Sequence, residues 1–488
     1  MTDSPATNGS GTAGIPVSAR RRGYALTASV MTVMMLGGTL PIPLYVIYRK
    51  QMGFGTLGVT VVFAAYVVGT LFALVALGDL SDHVGRRKVL AIGAACAAVS
   101  TGLFLVSDGI GLLIAARVVS GLAAGFVTGT ATAALAELQP RGDRRAAAVV
   151  ASGSNQAGLG LGPLIAGVFA EYVAEPTRSV FWVYLGLCAL ALAAVAVIPE
   201  TVRNPDKAIS LRPGLGVPPT MRAVVLGACL GVFGAFSVFG FFSSLVPVFL
   251  YGTLGVHNLA VIGAAVFGIF ITSAISQAAS ARLPARSSLL TGLPLLVVCL
   301  AALESALFAK AIWLFVAGTI AGGIAAGFIF RGGLSELNRL AEPGHRAAVV
   351  STFFAAAYLG LGLTPVLTGL LGQLVSAVDA STCTSALTAA LVLVAFVVVL
   401  RTFDVAPGAG PSGPPSDSWC RPEEPGIAGD TRIPASGQPS HDARAVIRPA
   451  SAPRQGRWKA LLSAGTCDPF CSAAKFRPVR QRTWPTKV

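Results

Sequence analysis

Charged side chains are scarce in this chain: Asp, Glu, Lys and Arg make up 12% of its 488 residues, against about a quarter in soluble globular proteins. Catalytic signatures are missing too. There is no GxxxxGK[ST] loop to cradle a nucleotide, so no internal ATP-driven engine is expected. No HExxH helix or GxSxG elbow occurs, and the four histidines (His83, His257, His345, His441) are scattered. Five of the eight cysteines (Cys96, Cys188, Cys229, Cys299, Cys383) fall singly inside apolar stretches without metal-ligand spacing and read as packing residues; Cys467 and Cys471 form a lone CxxxC. Acids, histidines and cysteines do not gather at one place. Neither catalysis nor a metal or cofactor is expected.

What the chain does have is apolar length. Apolar residues make up 54% and the mean hydropathy is +0.73, concentrated in blocks of about twenty residues, enough to cross about 30 Å of hydrocarbon as helix. Twelve spans are placed near 24–47, 57–78, 89–107, 109–137, 146–170, 179–198, 223–250, 259–280, 288–308, 311–330, 347–375 and 382–400. The blocks are apolar all round, whereas barrel strands would alternate. The first is too long for a signal-peptide core and reads as a retained anchor. The net charge of +15 invites a nucleic-acid reading, but its distribution argues against one. With both termini placed in the cytoplasm, nineteen Lys/Arg fall in inner segments before the tail, against four outside (Arg49, Lys50, Arg178, Lys310). The positive-inside rule accounts for that bias without a nucleic acid.

The fold class expected is an all-α membrane protein of twelve transmembrane helices in two six-helix, pseudo-repeated halves. Residues 1–22 read as a disordered N-terminal segment, 23–198 as the first half, 199–222 as a cytoplasmic linker, 223–402 as the second half and 403–488 as a disordered Pro/Gly-rich tail. A shift of 202 lays GLGLGPLIAG (158–167) over GLGLTPVLTG (360–369), Gly121 over Gly323, Gly125 over Gly327 and Arg144 over Arg346. A shift of 204 lays PLYVIY (43–48) over PVFLYG (247–252). Duplicated halves with a solute site between them near mid-membrane are a transporter architecture.

Three motifs carry chemistry. GDLSDHVGRRKVL (78–90) is a short inter-helix reversal in which Gly78 and Gly85 allow positive φ and close approach, Asp82 can accept backbone N–H groups, and Arg86 and Arg87 supply charge. RVVSGLAAG (117–125) sets Gly121 and Gly125 on one face and puts Arg117 inside a span, where a guanidinium must face protein or water. In GLGLGPLIAG, Pro163 removes a helical hydrogen bond while Gly158, Gly162 and Gly167 permit bending. Together these resemble the signature loop, the R-x-x-x-G-x-x-x-G element and the G-x-x-x-G-P-x-x-x-G element of the major facilitator superfamily, in its bacterial drug/proton antiporter branch. The resemblance covers roughly residues 24–402. It implies that Arg86 pairs with a carboxylate at the inner end of span four, for which Glu137 is the candidate, and that this latch holds the inner face shut. It implies a coupling role for Arg117 and a hinge around Pro163. His83 and Asp79 depart from the usual loop pattern.

Polar residues inside spans should face a cavity or another helix, so Asn155, Gln156, Tyr45, Tyr66 and Glu304 are the candidate substrate-cavity residues. The functional expectation is a monomeric, multi-pass plasma-membrane protein with both termini cytoplasmic, moving small organic molecules by alternating access with protons as coupling ion. Efflux of drugs or metabolites is favoured; a proton-coupled importer of sugars or organic acids and a transporter-like sensor are the alternatives. Its partners are the solute, protons and the bilayer, with no nucleic acid.

Overall fold

A computed structural model describes residues 16–76, 80–202, 217–342 and 345–402. Gly78, the side chain of Asp82, most of the central linker and the tail from residue 403 lie outside the described residues. In chain order the helices are α1 (Val17–Thr39), α2 (Tyr45–Met52), α3 (Thr56–Ala76), α4 (Leu80–Val84), α5 (Arg86–Leu105), α6 (Ile110–Leu138), α7 (Arg144–Tyr172), α8 (Pro176–Val197), α9 (Arg222–Ser244), α10 (Val246–Gly252), α11 (Leu259–Ala279), α12 (Ala285–Ala309), α13 (Ile312–Leu340), α14 (Arg346–Leu371) and α15 (Ala377–Thr402). No strand occurs among the described residues. Ten of these helices are long and apolar enough to cross a membrane. Two further long helices, α1 and α7, are more polar, and both line the central cavity described below.

The fold is all-α and duplicated. In the first six long helices α3 and α5 pack on α6, α1 on α7 and α5 on α8; in the last six α12 and α11 pack on α13, and α14 and α15 on α9. The two sets meet along α7–α11 and α3–α14. Two boundaries differ from the sequence reading. Helix α1 begins at Val17, ahead of the basic run, because arginine is a good helix former and Arg20 Nη2 donates to the Gln139 carbonyl at 2.7 Å. The first and seventh spans are each broken before their ends, after Thr39 and after Ser244. Pro41 and Pro43 lack the N–H that would continue α1, and Pro247 opens the short α10. These breaks fall on the segments related by the shift of 204.

Paired glycines set the helix spacing. A Cβ built on Gly121 would lie 2.1 Å from the Tyr66 carbonyl oxygen and one on Gly125 2.9 Å from that of Thr70, both on α3. Their counterparts Gly323 and Gly327 approach the Ile269 and Ser273 carbonyls on α11 at 2.8 and 2.6 Å. Backbone thus meets backbone at equivalent places in both halves, as small residues allow in membranes.

Two of the prolines inside helices, Pro163 and Pro365, obey the same symmetry. Pro163 cannot donate to the Leu159 carbonyl, and in lipid that oxygen needs another donor. Thr39 Oγ1 supplies it at 2.8 Å from α1. Pro365 on α14 likewise frees the Leu361 carbonyl, against which Gly240 of α9 packs so closely that a Cβ there would come within 2.2 Å.

Gly121→Ala should therefore lower the melting temperature of the purified protein by the equivalent of about 1–3 kcal/mol, since backbone cannot move aside cheaply. Gly129→Ala, whose added methyl meets nothing within 4 Å, should leave it unchanged. Equal behaviour of the two variants would contradict the backbone contact.

Candidate substrate cavity and gating loop

The loop motif forms a compact polar cluster at the end of the bundle where α1 begins, called here the near end. Gly85 adopts φ +109°, a conformation that favours glycine. The chain then enters α5, whose first N–H groups need acceptors. Glu200 provides them: Oε1 accepts from Arg86 N at 2.9 Å and Oε2 from Arg87 N at 3.1 Å. A Cβ on Gly85 would lie 2.7 Å from Glu200 Oε2. The Arg86 guanidinium reaches Glu137 Oε1 at 3.1 Å and also donates to Ser81. The Thr201 hydroxyl donates to the other Glu137 oxygen.

Arg117 lies two turns inside α6 and is fully buried. Its Nη1 donates to the Gly38 carbonyl at 2.6 Å, at the end of α1, where carbonyls lack intrahelical donors and the helix dipole favours a cation. The guanidinium stands 4.7 Å from the Tyr66 ring centroid and 5.6 Å from that of Phe63, so aromatic faces supply further compensation. Among the described residues no carboxylate pairs with it. Nothing of the side chain reaches solvent, so it does not snorkel to the interface.

A central cavity of about 180 Å³ lies between the two sets of helices. Its walls differ in chemistry. Amides and hydroxyls come mainly from the first set: Thr39, Thr128, Thr132, Ser152, Asn155 and Gln156. Aromatic rings come mainly from the second: Phe236, Phe239, Phe270, Phe330, Phe354 and Tyr358. The rings brace one another, Phe239 stacking on Phe270 at 5.0 Å and Phe236 lying 5.8 Å from Phe330. Among the described residues no Asp, Glu, His, Lys or Arg lines the cavity. Across one wall Gln156 Nε2 donates to Ser273 Oγ at 3.0 Å, Gln277 Nε2 to the same oxygen at 3.2 Å, and Ser152 to Gln277 Oε1.

The cavity is closed at the far end and reaches toward the near end. Its far-end residues Thr39, Phe63 and Ser243 are buried, whereas Thr132 and Ala148, toward the near end, are exposed. Several far-end contacts join the two sets: Lys50 Nζ donates to Tyr251 OH at 2.8 Å, Leu259 N donates to Glu171 Oε2 at 2.8 Å, and Gly369 packs against Thr60.

The model of the Major Facilitator Superfamily matches residues 27–303. The chain belongs to this superfamily. Curated relatives include a triacylglyceride transporter of Mycolicibacterium hassiacum, 27% identical over 36% of this chain and 32% of its own length. Quinolone resistance protein NorA of Staphylococcus aureus is 27% identical over 34% and 42%, respectively. An uncharacterized MFS-type transporter of Mycobacterium tuberculosis is 27% identical over 57% and 38%. The chain thus aligns with only about a third of the first relatives' length. The crystal structure of the human organic anion transporter MFSD10 (TETRAN) superposes with a TM-score of 0.57 at 19% identity, covering 78% of this chain and 99% of that one, which shows the fold. The protein is a multi-pass membrane protein of a transporter superfamily.

Within this superfamily fold the expected site residues separate into distinct places. Asn155, Gln156 and Tyr66 line the cavity. Tyr45 does not: the Pro41–Pro43 break carries it onto α2, where it is fully buried beside Arg117. Glu304 does not either, because its face of α12 turns toward α15. Arg86 and Glu137 meet, but within the first set, so this pair does not itself bridge the halves as an inner-face latch would. A near-end bond that does join the sets is that of Arg145 on α7, whose Nη2 donates to the Ala281 carbonyl beyond α11 at 2.5 Å. Arg117 and Glu137 belong to different clusters, and the Arg87 side chain is exposed. Gly158 and Gly162 pack on α1, while Gly167 and the Pro163 carbonyl pack on α11. Sequence reasoning missed Glu200 and the aromatic wall, whose phenylalanines look like ordinary lipid-facing residues. Gln277, an amide inside an apolar span, was the signal for the Ser152–Ser273 ladder.

A double-mutant cycle of Arg86→Ala and Glu137→Ala, read by thermal unfolding, should give a coupling of about 1 kcal/mol, as for a charge-assisted bond partly open to water. Additive effects would mean the pair does not form in solution.

Proposed function

We propose that this protein exports small, uncharged, aromatic or apolar organic molecules across the plasma membrane by alternating access, with protons as coupling ion and both termini in the cytoplasm. The observation that carries this reading is the central cavity, with neutral walls, one side of aromatic rings and the other of amides and hydroxyls. Such walls bind an apolar body by burial and stacking, and orient it through a few polar groups. Asn155 Oδ1 is buried without a hydrogen-bond partner, which suits a ligand that brings a donor. An organic acid would lose its hydration there without a cation to meet it, and a sugar would find too few polar groups. Met31 and Met35 add adaptable apolar surface, fitting a range of ligand shapes. The quinolone resistance and triacylglyceride transporter relatives are in keeping with apolar cargo. With the cytoplasmic placement of the termini, the cavity reaches the cytoplasm, from which an exporter loads.

The test is purified protein in liposomes with an internal pH dye and a panel of uncharged aromatics, sugars and organic acids. Uncharged aromatics should elicit saturable proton movement opposite to their own, and Phe330→Ala or Asn155→Ala should raise the half-saturating concentration about tenfold, the equivalent of one good contact. Preference for sugars or acids would overturn the cargo reading. Flux without proton movement would overturn the coupling.

A further inference from the structure

Glu304 sits on α12 five residues from its far end, about 7 Å inside the helix. Three hydroxyls of α15 hold it: Ser381 and Ser385 donate to Oε1 at 2.8 and 2.7 Å, and Thr382 donates to Oε2 at 2.9 Å. Other acids of the chain have other partners: Glu137 has Arg86, Glu336 has Arg339, and Glu171 and Glu200 accept backbone N–H groups. Glu304 has no basic partner among the described residues. α12 packs on α9, α13 and α15. Of the charged groups on these helices, Asp379 is exposed and bonded to Ser376, Lys310 stands at the end of α12, and Arg222, Arg286, Arg331, Glu336, Arg339 and Arg401 lie toward the near end. Three neutral hydroxyls satisfy the carboxylate's hydrogen bonds but leave its charge uncompensated, which is costly inside a span.

Beside it lies a small cavity of about 20 Å³, bordered by Ser385, Thr384, Thr388, Ser237 and Thr364. That is room for about one water-sized occupant; Val238, Phe241, Leu300 and Leu303 form the apolar part of its wall, and the Glu304 carboxylate and the hydroxyls are its polar groups. We infer that Glu304 and its hydroxyls form a monovalent-cation site, separate from the solute cavity, that takes one proton or one Na⁺. A single carboxylate matches a single positive charge, and hard oxygen donors suit an alkali cation as well as a carboxylic acid O–H. The site also touches the moving parts. Thr384 Oγ1 lies 2.8 Å from Thr368 Oγ1 on α14, and the next residue, Gly369, is the one packed on Thr60 of α3 at the far-end seam. Ser237 and Thr364, bonded at 2.8 Å, divide this crevice from the aromatic wall. Occupancy at Glu304 is thus one helix away from the closure of the central cavity. That consequence rests on the transport reading; ion binding itself does not.

The test uses the full chain in detergent without solute. Thermal unfolding is followed against NaCl balanced with choline chloride at about pH 8, and carboxyl infrared difference spectra are recorded from about pH 8 to pH 5 without sodium. A saturable, sodium-specific rise in melting temperature in the wild type, absent in Glu304→Gln, identifies Na⁺. No sodium response, with a protonation band lost in Glu304→Gln, identifies the proton. Ser385→Ala, which keeps the carboxylate, should shift the midpoint about tenfold in sodium or one unit in pH, and it carries the test if Glu304→Gln does not fold. Identical sodium and pH responses in wild type and Glu304→Gln, or an unmoved midpoint in Ser385→Ala, overturn the site. Because no solute is present, that failure would leave the export reading standing, and failure of export would leave the site standing.

Discussion

Leu159 loses its helical donor to Pro163, and the Thr39 hydroxyl replaces it. That substitution illustrates the constraint on which the rest of the structure depends: inside a bilayer, each backbone polar group and each charge must be satisfied by the protein itself. The proline in α7 is tolerable because α1 lies close enough to donate. α1 lies that close because Gly158 and Gly162 leave room for it. Arg117 obeys the same rule from the other side, since its cationic donor meets a carbonyl at the broken end of α1. Break, bend and buried cation therefore form one arrangement around a single helix.

Polarity is then allotted where it has a use. The two long helices that fall short of span hydropathy are the ones with amides, hydroxyls and small residues along the central cavity. Their lower hydropathy follows from facing a cavity rather than lipid. The aromatic wall opposite needs no hydrogen-bond partners beyond the Tyr358 hydroxyl, so it can be apolar without cost to the backbone. The charged residues of the loop cluster and Arg145 stay at the near end, where water screens them.

Much of this was legible in the sequence. The all-α character and the duplication follow from apolar length and from the shift of 202, and the glycines it aligns make close backbone contacts in both halves. The choice of Glu137 as partner for Arg86 followed from the resemblance to the superfamily's signature loop. What could not be read depends on helix rotation. Glu304 and Asn155 both look like polar residues in spans, yet one faces α15 and the other the cavity, and only packing decides which. Tyr45 was misplaced because a continuous apolar block hid the two-proline break. Glu200 was overlooked because its function is to accept backbone N–H groups, which leave no mark in a residue pattern.

The division of the cavity wall bears on how such a chain diversifies. The contacts that set helix spacing are backbone on backbone at glycines, and neither Phe330 nor Phe354 of the cavity wall is among the neighbours those glycines meet. A phenylalanine at position 330 or 354 can be exchanged for a smaller or more polar residue without touching a glycine seam or the loop cluster. The superfamily match ends at residue 303, ahead of Phe330, Phe354 and Tyr358. The matched stretch holds the loop cluster, the buried Arg117 and most of the cavity wall, and these three rings complete the wall from beyond it.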